Sequence, residues 1–326
     1  MDFDNLTILR AKEMFACGES NAIELCNEIL DRIERLDRSG PTLRAVLEIN
    51  PDALAQAEAA VHRKKNGEPP RPLDGIPILV KDSIDTADKM ATTAGSLAML
   101  GNIAERDAFV VERLRSAGAV ILGKANMTEW SYMRSARTCS GWSSRGGQIR
   151  NPHVLDRTPS GSSGGSAVAV AAGLCLGALG AEVDGSIVRP SSANGVVGIK
   201  PTVGMVSRMG VMPVAEPQDT AGPIARSVSD VALLLSVLAG PDPQDKATIV
   251  NERPNSSDFT AFLNVDALKG ARIGVARDLM GTHEGVDSVV ESAIEVVKDL
   301  EAEVVDPAIG SWTPCFGEAE CELCVF

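Results

Sequence analysis

The sequence predicts an α/β fold with a mixed, mainly parallel central sheet covered by helices on both faces. Two patterns carry this reading. Short apolar runs of strand length alternate with stretches whose apolar residues recur at helical spacing. The runs are also continuous rather than alternating, as expected of strands buried on both faces. With 326 residues, 44% of them hydrophobic, the chain can bury a sizeable core. The length allows roughly two domains. The pattern reads instead as one domain over 1–326: a helical segment to about 70, a core over about 71–240, a strand-helix-strand unit over about 270–306, and a tail at 307–326.

In order, Ile23, Cys26, Ile29, Leu30, Ile33 and Leu36 form one helical stripe behind Ser20 as N-cap, with Glu24, Glu28, Asp31, Arg32 and Arg35 outside. After the turn-rich "NGEPPRPLDG" (66–75), "IPILV" (76–80) reads as a strand with Pro77 near its start. Phe109, Val110, Leu114 and Ala117 give a helix closed by Gly118, and "AVIL" (119–122) a buried strand. "AVAVAAGLCLGALGA" (167–181) is too short to span a bilayer and reads as a tightly packed helix and strand. "VVGI" (196–199) follows, then a helix over 228–238 stopped by "GPDP". Residues 272–305 read as a last unit: "RIGVA" (272–276), a helix through Val286, Val289, Val290, Ala293, Ile294, Val297 and Leu300, and "AEVV" (302–305). Internal repeats and low-complexity tracts are absent.

The formal net charge of −13 argues against nucleic acid or anionic lipid as partner and for a small or neutral one. Seven cysteines (17, 26, 139, 175, 315, 321 and 324), an odd number without framework spacing, point to a reducing compartment. "CELC" (321–324) is a weak zinc or redox signal on its own. The start, "MDFDNLTILRAKEMF", lacks the basic and apolar regions of a signal peptide. A cytoplasmic protein without membrane partner, metal or cofactor is expected.

"TPSGSSGGSAVAVAAG" (158–173) is embedded in folded sequence, which disfavours a linker. It lacks the lysine of a GxxxxGK[ST] phosphate loop and the GxGxxG dinucleotide fingerprint. Gly161, Ser163 and Gly165 fit G-x-S-x-G, but that elbow needs a downstream histidine, and only His283 in the turn-like "MGTHEG" follows. His62, His153 and His283 lie at no metal-ligand spacing. A serine hydrolase without histidine can use a lysine whose pKa burial has lowered. Lys81, Lys124 and Lys200 each end an apolar run, and each is equally a lysine reaching back to the surface; the residues alone do not choose.

A chain of motifs then resembles the amidase signature hydrolases: "LDGIPILVKDSIDT" (73–86), "GKANMTEWS" (123–131), "GGQIRNP" (146–152), the glycine-serine loop, "DGSIVRPSSANGVVGIKPTVG" (184–204) and "QDTAGPIARSVSD" (218–230). It spans roughly residues 20 to 310 in the family's order. The resemblance implies a Ser-Ser-Lys triad of Lys81, Ser162 and Ser186, with a cis peptide bond before Ser162. It implies an oxyanion hole from the backbone N–H groups of Val183, Asp184, Gly185 and Ser186, and supporting roles for Gly161, Ser163 and Asp219. The implied activity is hydrolysis of a small-molecule carboxylic amide through a seryl acyl-enzyme. The alternatives are the glutaminase subunit of a tRNA-dependent amidotransferase and an inactive homologue serving as a scaffold.

Departures from the family pattern concern the nucleophile loop and the length. Asp184 replaces a common glycine and brings a carboxylate near a developing anion; Val188 sits where the family is commonly basic, with Arg189 beside it. Family members generally continue past residue 326, so a shortened sheet, weak activity and homo-oligomers through an open edge are expected.

Overall fold

The computed structural model describes residues 2, 3, 5–135, 137–249 and 258–308. Cys315 and the "CELC" pair lie outside the described residues. The chain divides into two compact units, Met1–Thr260 and Ala261–Phe326.

The first unit opens with α1 (Ile8–Cys17), α2 (Ala22–Arg32), β1 (Val46–Ile49), α3 (Ala53–Lys65) and β2 (Pro77–Lys81). It continues with α4 (Phe109–Ser116), β3 (Val120–Ala125), the small hairpin β4 (Trp142–Ser143) and β5 (Gly147–Gln148), α5 (Gly164–Ala171) and β6 (Gly177–Glu182). Then come α6 (Val188–Ala193), β7 (Val197–Gly198), β8 (Thr220–Ala225), α7 (Val228–Leu238) and α8 (Lys246–Ile249).

The central sheet has six strands in the order β1-β3-β2-β6-β8-β7. It is mixed: β3, β2 and β6 run parallel, while β1 joins β3, β8 joins β6 and β7 joins β8 antiparallel. Parallel pairing is thus confined to the middle, narrower than a mainly parallel sheet. Every residue of β2, β3 and β8 is buried, which accounts for their unbroken small or apolar sequences. Between the pairs Ile78↔Ile121 and Leu79↔Gly123, β3 carries one residue more than β2, a bulge at Leu122.

Local chemistry sets several boundaries. The cap of α2 is Asn21, one residue after the expected Ser20: its Oδ1 accepts the N–H groups of Ile23 (3.0 Å) and Glu24 (3.1 Å), while the Ser20 hydroxyl donates to the Glu24 carboxylate (3.1 Å). The buried side of α3 is Ala53, Ala57 and Ala60, a stripe too small to stand out as amphipathic. The helix α5 lies so close to the sheet that a Cβ on Gly165 would sit 2.2 Å from the Asn126 carbonyl oxygen and 2.6 Å from that of Ala45. Both are backbone atoms in the core and cannot step aside. Gly165→Ala is therefore expected to destabilise the protein by about 3 kcal/mol or more, seen as a lowered thermal midpoint or failure to fold. An unchanged midpoint would show that the helix can lift off the sheet.

The second unit contains β9 (Arg272–Gly274), α9 (Glu284–Asp299) and β10 (Glu303–Val305). β9 and β10 pair in parallel in a two-stranded sheet of their own. His283 caps α9, its Nδ1 accepting the N–H groups of Gly285 (3.1 Å) and Val286 (3.4 Å). That use explains the lone histidine without a catalytic role. Among the described residues, no helix is long and apolar enough to cross a membrane.

Candidate active site

The C-terminal ends of β2 and β6, where the central parallel strands stop, face the glycine-serine loop. Lys81 is the last residue of β2 and pairs with Ala125 of β3, whereas Lys124 pairs with Val80. Side chains of adjacent residues alternate across a sheet, so the two lysines point to opposite faces. Lys81 is fully buried. Its Nζ donates to Ser162 Oγ (2.6 Å) and to the Ala181 carbonyl oxygen (2.9 Å). Burial lowers its pKa to about 7; the carboxylates of Glu182 and Asp219 oppose that shift without cancelling it.

The other two lysines go elsewhere. Lys124 is also fully buried, donating to the Ile84 carbonyl oxygen (2.5 Å) and Thr92 Oγ1 (3.0 Å), and burial lowers its pKa to about 8. Lys200 is exposed and donates to the carbonyl oxygen of Pro201 (3.4 Å). Of the three, only Lys81 meets a serine hydroxyl.

The Gly161–Ser162 peptide bond is cis. The Ser162 carbonyl oxygen accepts the Thr128 N–H (3.0 Å), and its hydroxyl lies 3.2 Å from Ser131 Oγ. Gly161 is required by space: a Cβ there would meet Thr128 Oγ1 at 2.3 Å and the Tyr132 hydroxyl at 2.8 Å. Ser163 is buried, and its hydroxyl both donates to the Ala181 carbonyl oxygen and accepts the Ala181 N–H, each at 3.3 Å. A hydroxyl so occupied by backbone fits poorly as the nucleophile of a G-x-S-x-G elbow. The Ser163 N–H donates to the Ser186 carbonyl oxygen (3.1 Å), tying the glycine-serine loop to the turn that carries Ser186.

Ser186 is 6% exposed and stands on the turn between β6 and α6. That turn is organised by Glu182, a residue the sequence reading missed. Its Oε1 accepts the Gly185 N–H (2.8 Å); its Oε2 accepts those of Ile187 (2.6 Å) and Val188 (3.0 Å). The available signal was a lone acidic residue closing the otherwise apolar strand "GALGAE". One expected oxyanion donor is thereby occupied: the Gly185 N–H serves Glu182. Among the described residues the N–H groups of Val183, Asp184 and Ser186 have no acceptor.

The Asp184 carboxylate is paired with the Arg189 guanidinium, which also donates to the Asp184 carbonyl oxygen (2.9 Å). Both side chains are about half exposed. Arg189, one place later than the family's basic position, thus folds back over the turn and neutralises the carboxylate that the sequence brought there. Gly185, at φ +69°, leaves no room for a Cβ beneath that guanidinium. Asp219 is buried and accepts the N–H groups of Val214 (3.0 Å) and Ala215 (3.1 Å). It braces the 214–219 turn and acts on Lys81 through its charge.

The chain is similar to a probable amidase of Arabidopsis thaliana, 51% identical over 246 residues that cover 74% of this chain and 48% of that protein. It is 42% identical over 312 residues to a glutamyl-tRNA(Gln) amidotransferase subunit from Chloroflexus aurantiacus, covering 94% of this chain and 61% of that one. Among solved structures, the native peptide amidase from Stenotrophomonas maltophilia superposes with a TM-score of 0.90 at 46% identity, covering 94% of this chain and 62% of that chain. The chain therefore spans about half to three-fifths of the length of these relatives. The family model described as Amidase matches residues 24–318, and the chain belongs to the amidase family.

Proposed function

We propose that this protein hydrolyses a carboxylic amide to an acid and ammonia or an amine through a seryl acyl-enzyme. The observation that carries the reading is the contact between fully buried Lys81 and Ser162, 2.6 Å, beside a turn that holds Ser186. A lysine with a pKa near 7 is neutral in a useful fraction of molecules at neutral pH, so it can accept a proton.

In this mechanism Ser186 Oγ attacks the amide carbonyl carbon. Its proton passes to Ser162 Oγ, while the Ser162 proton passes to Lys81 Nζ. The C–N bond then breaks as Ser162 protonates the leaving nitrogen and recovers a proton from Lys81. Water repeats the sequence on the ester and releases the acid. The N–H groups of Val183, Asp184 and Ser186 face no acceptor among the described residues and are the donors assigned to the oxyanion, a kind of contact whose loss costs ~3–4 kcal/mol in the transition state. Gly161 and Ser163 shape the loop.

No cofactor or metal enters these steps. A cytoplasmic protein without nucleic-acid or membrane partner fits the net charge of −13; a homo-oligomer is part of the same reading. The similarity to a peptide amidase makes a peptide carboxamide the first substrate to try. The amidotransferase relative supports a second reading, in which glutamine is the amide and a partner protein receives the ammonia.

Ammonia release from a peptide carboxamide, a simple aryl amide and glutamine separates these readings. Release from either of the first two by the chain alone is expected. Release from glutamine only would favour the second reading. No release, together with no labelling by a serine-reactive phosphonate, would leave a binding protein.

A further inference from the structure

Ser131 stands outside the residues given a role so far, yet the chain adopts an unusual backbone to place it. Trp130, Ser131 and Tyr132 have φ of +53°, +50° and +78°, a region that side chains other than glycine seldom enter, let alone three in a row. Hydrogen bonds hold the segment: Trp130 N–H to the Ala94 carbonyl oxygen (3.0 Å), Ser131 N–H to that of Thr128 (2.9 Å), and the Tyr132 hydroxyl with Ser140 Oγ (2.8 Å). The outcome is a half-buried Ser131 hydroxyl 3.2 Å from Ser162 Oγ.

The inventory of donors and acceptors gives that contact a meaning. A charged ammonium only donates, and a serine hydroxyl carries one proton and two lone pairs. While Lys81 is charged, Ser162 Oγ accepts from Nζ, so the Ser162 proton must find another acceptor. Ser131 Oγ is within reach. When Lys81 is neutral, Ser162 donates to Nζ and Ser131 is no longer required as acceptor. The two states therefore use Ser131 unequally.

We propose that Ser131 is a positioning residue of the lysine–serine relay: its hydroxyl accepts the Ser162 proton while Lys81 carries the charge, and so supports the charged lysine against its burial. This inference rests on the reading of Lys81 and Ser162 as a relay. The charged groups acting on Lys81 are Glu182, at the end of β6, and Asp219, just before β8; Lys124 lies on the other face of the sheet. All three stay in place when Ser131 is changed.

The test is a titration of the full chain labelled with 13Cε-lysine and followed by NMR, with the Lys81 resonance assigned through Lys81→Arg. Ser131→Ala and Ser131→Gly are compared with the unaltered protein. Both lose the hydroxyl, and Gly also relieves the positive φ, so backbone and hydroxyl effects separate. The Lys81 midpoint is expected to fall by about half a pH unit in both variants, roughly a threefold change in the ratio of neutral to charged lysine. Thermal stability should differ between the two, with Gly the more stable. A midpoint that stays put or rises in either variant overturns the proposal. The titration does not depend on turnover, whereas phosphonate labelling at Ser186 tests the underlying reading, so the two can fail separately.

Discussion

Ser186→Ala is expected to abolish covalent labelling by a serine-reactive phosphonate, and with it the proposed amide turnover, a loss of about a millionfold for a sole nucleophile. Ser162→Ala slows labelling by about a hundred- to ten-thousandfold, the usual span for losing a general acid–base group, because the nucleophile survives without its proton acceptor. The geometry separates the two serines. Ser162 is within 2.6 Å of a buried lysine and 3.2 Å of a second hydroxyl, which suits proton transfer. Ser186 stands beside backbone N–H groups that have no acceptor among the described residues, which suits the atom that generates an oxyanion. Mass spectrometry of the labelled peptide decides the matter. An adduct that persists in Ser186→Ala, or one found on Ser162 or Ser163, would overturn the assignment.

Replacing Lys81 by methionine has two opposite consequences. The proposed activity is expected to fall by three or four orders of magnitude, because the relay would lose its terminal base. In the unaltered protein the proposed relay predicts that activity declines as pH drops through about 7, where Lys81 becomes charged. Stability moves the other way. The lysine's pKa is 10.5 when unperturbed and about 7 in the fold, so over that interval the unfolded chain holds a proton that the native protein does not. Linkage then makes stability rise with pH between about 7 and 10.5, and the penalty for burying the lysine is fully present below about 7.

That penalty is on the order of 4 kcal/mol, partly offset in the variant by loss of the Nζ hydrogen bonds, about 1–3 kcal/mol. Glu182 and Asp219 keep their backbone N–H partners when the cation is gone. Lys81→Met should therefore be the more stable protein at pH 7 and should lose most of the rise in stability above it. Chemical denaturation at several pH values checks this. A slope equal to that of the unaltered chain would mean that Lys81 is not neutralised by folding.

The alternation of buried strands and amphipathic helices was legible because burial on both faces writes itself into composition. Lys81 was legible only through the order of motifs, since Lys124 closes an apolar run equally well and is just as buried. Other features left little trace. Strand β8, "TAGPIA", contains Pro223, which argues against a strand; it is tolerated beside β7, which pairs only at Ala225 and Ile224. The boundary near 260 depends on contacts between distant residues rather than on local pattern. Glu182 looked like any strand-ending acid until its three N–H partners were seen. Ser131 could not be found at all, because "EWSY" gives no sign of a left-handed turn.

The bulge at Leu122 bears on which insertions and deletions this chain can accept. Without the extra residue, Leu79 would stand opposite Leu122 and Lys81 opposite Lys124, placing two ammonium groups side by side on one buried face. Like charges so close, with no water between them, would force at least one lysine to stay neutral at any pH the protein meets. The bulge instead gives each lysine its own side of the sheet and its own pKa, about 7 and about 8. A lineage descending from this sequence can vary the lengths of its surface connections, but loss of one residue from "AVILGK" would couple the site's base to its neighbour.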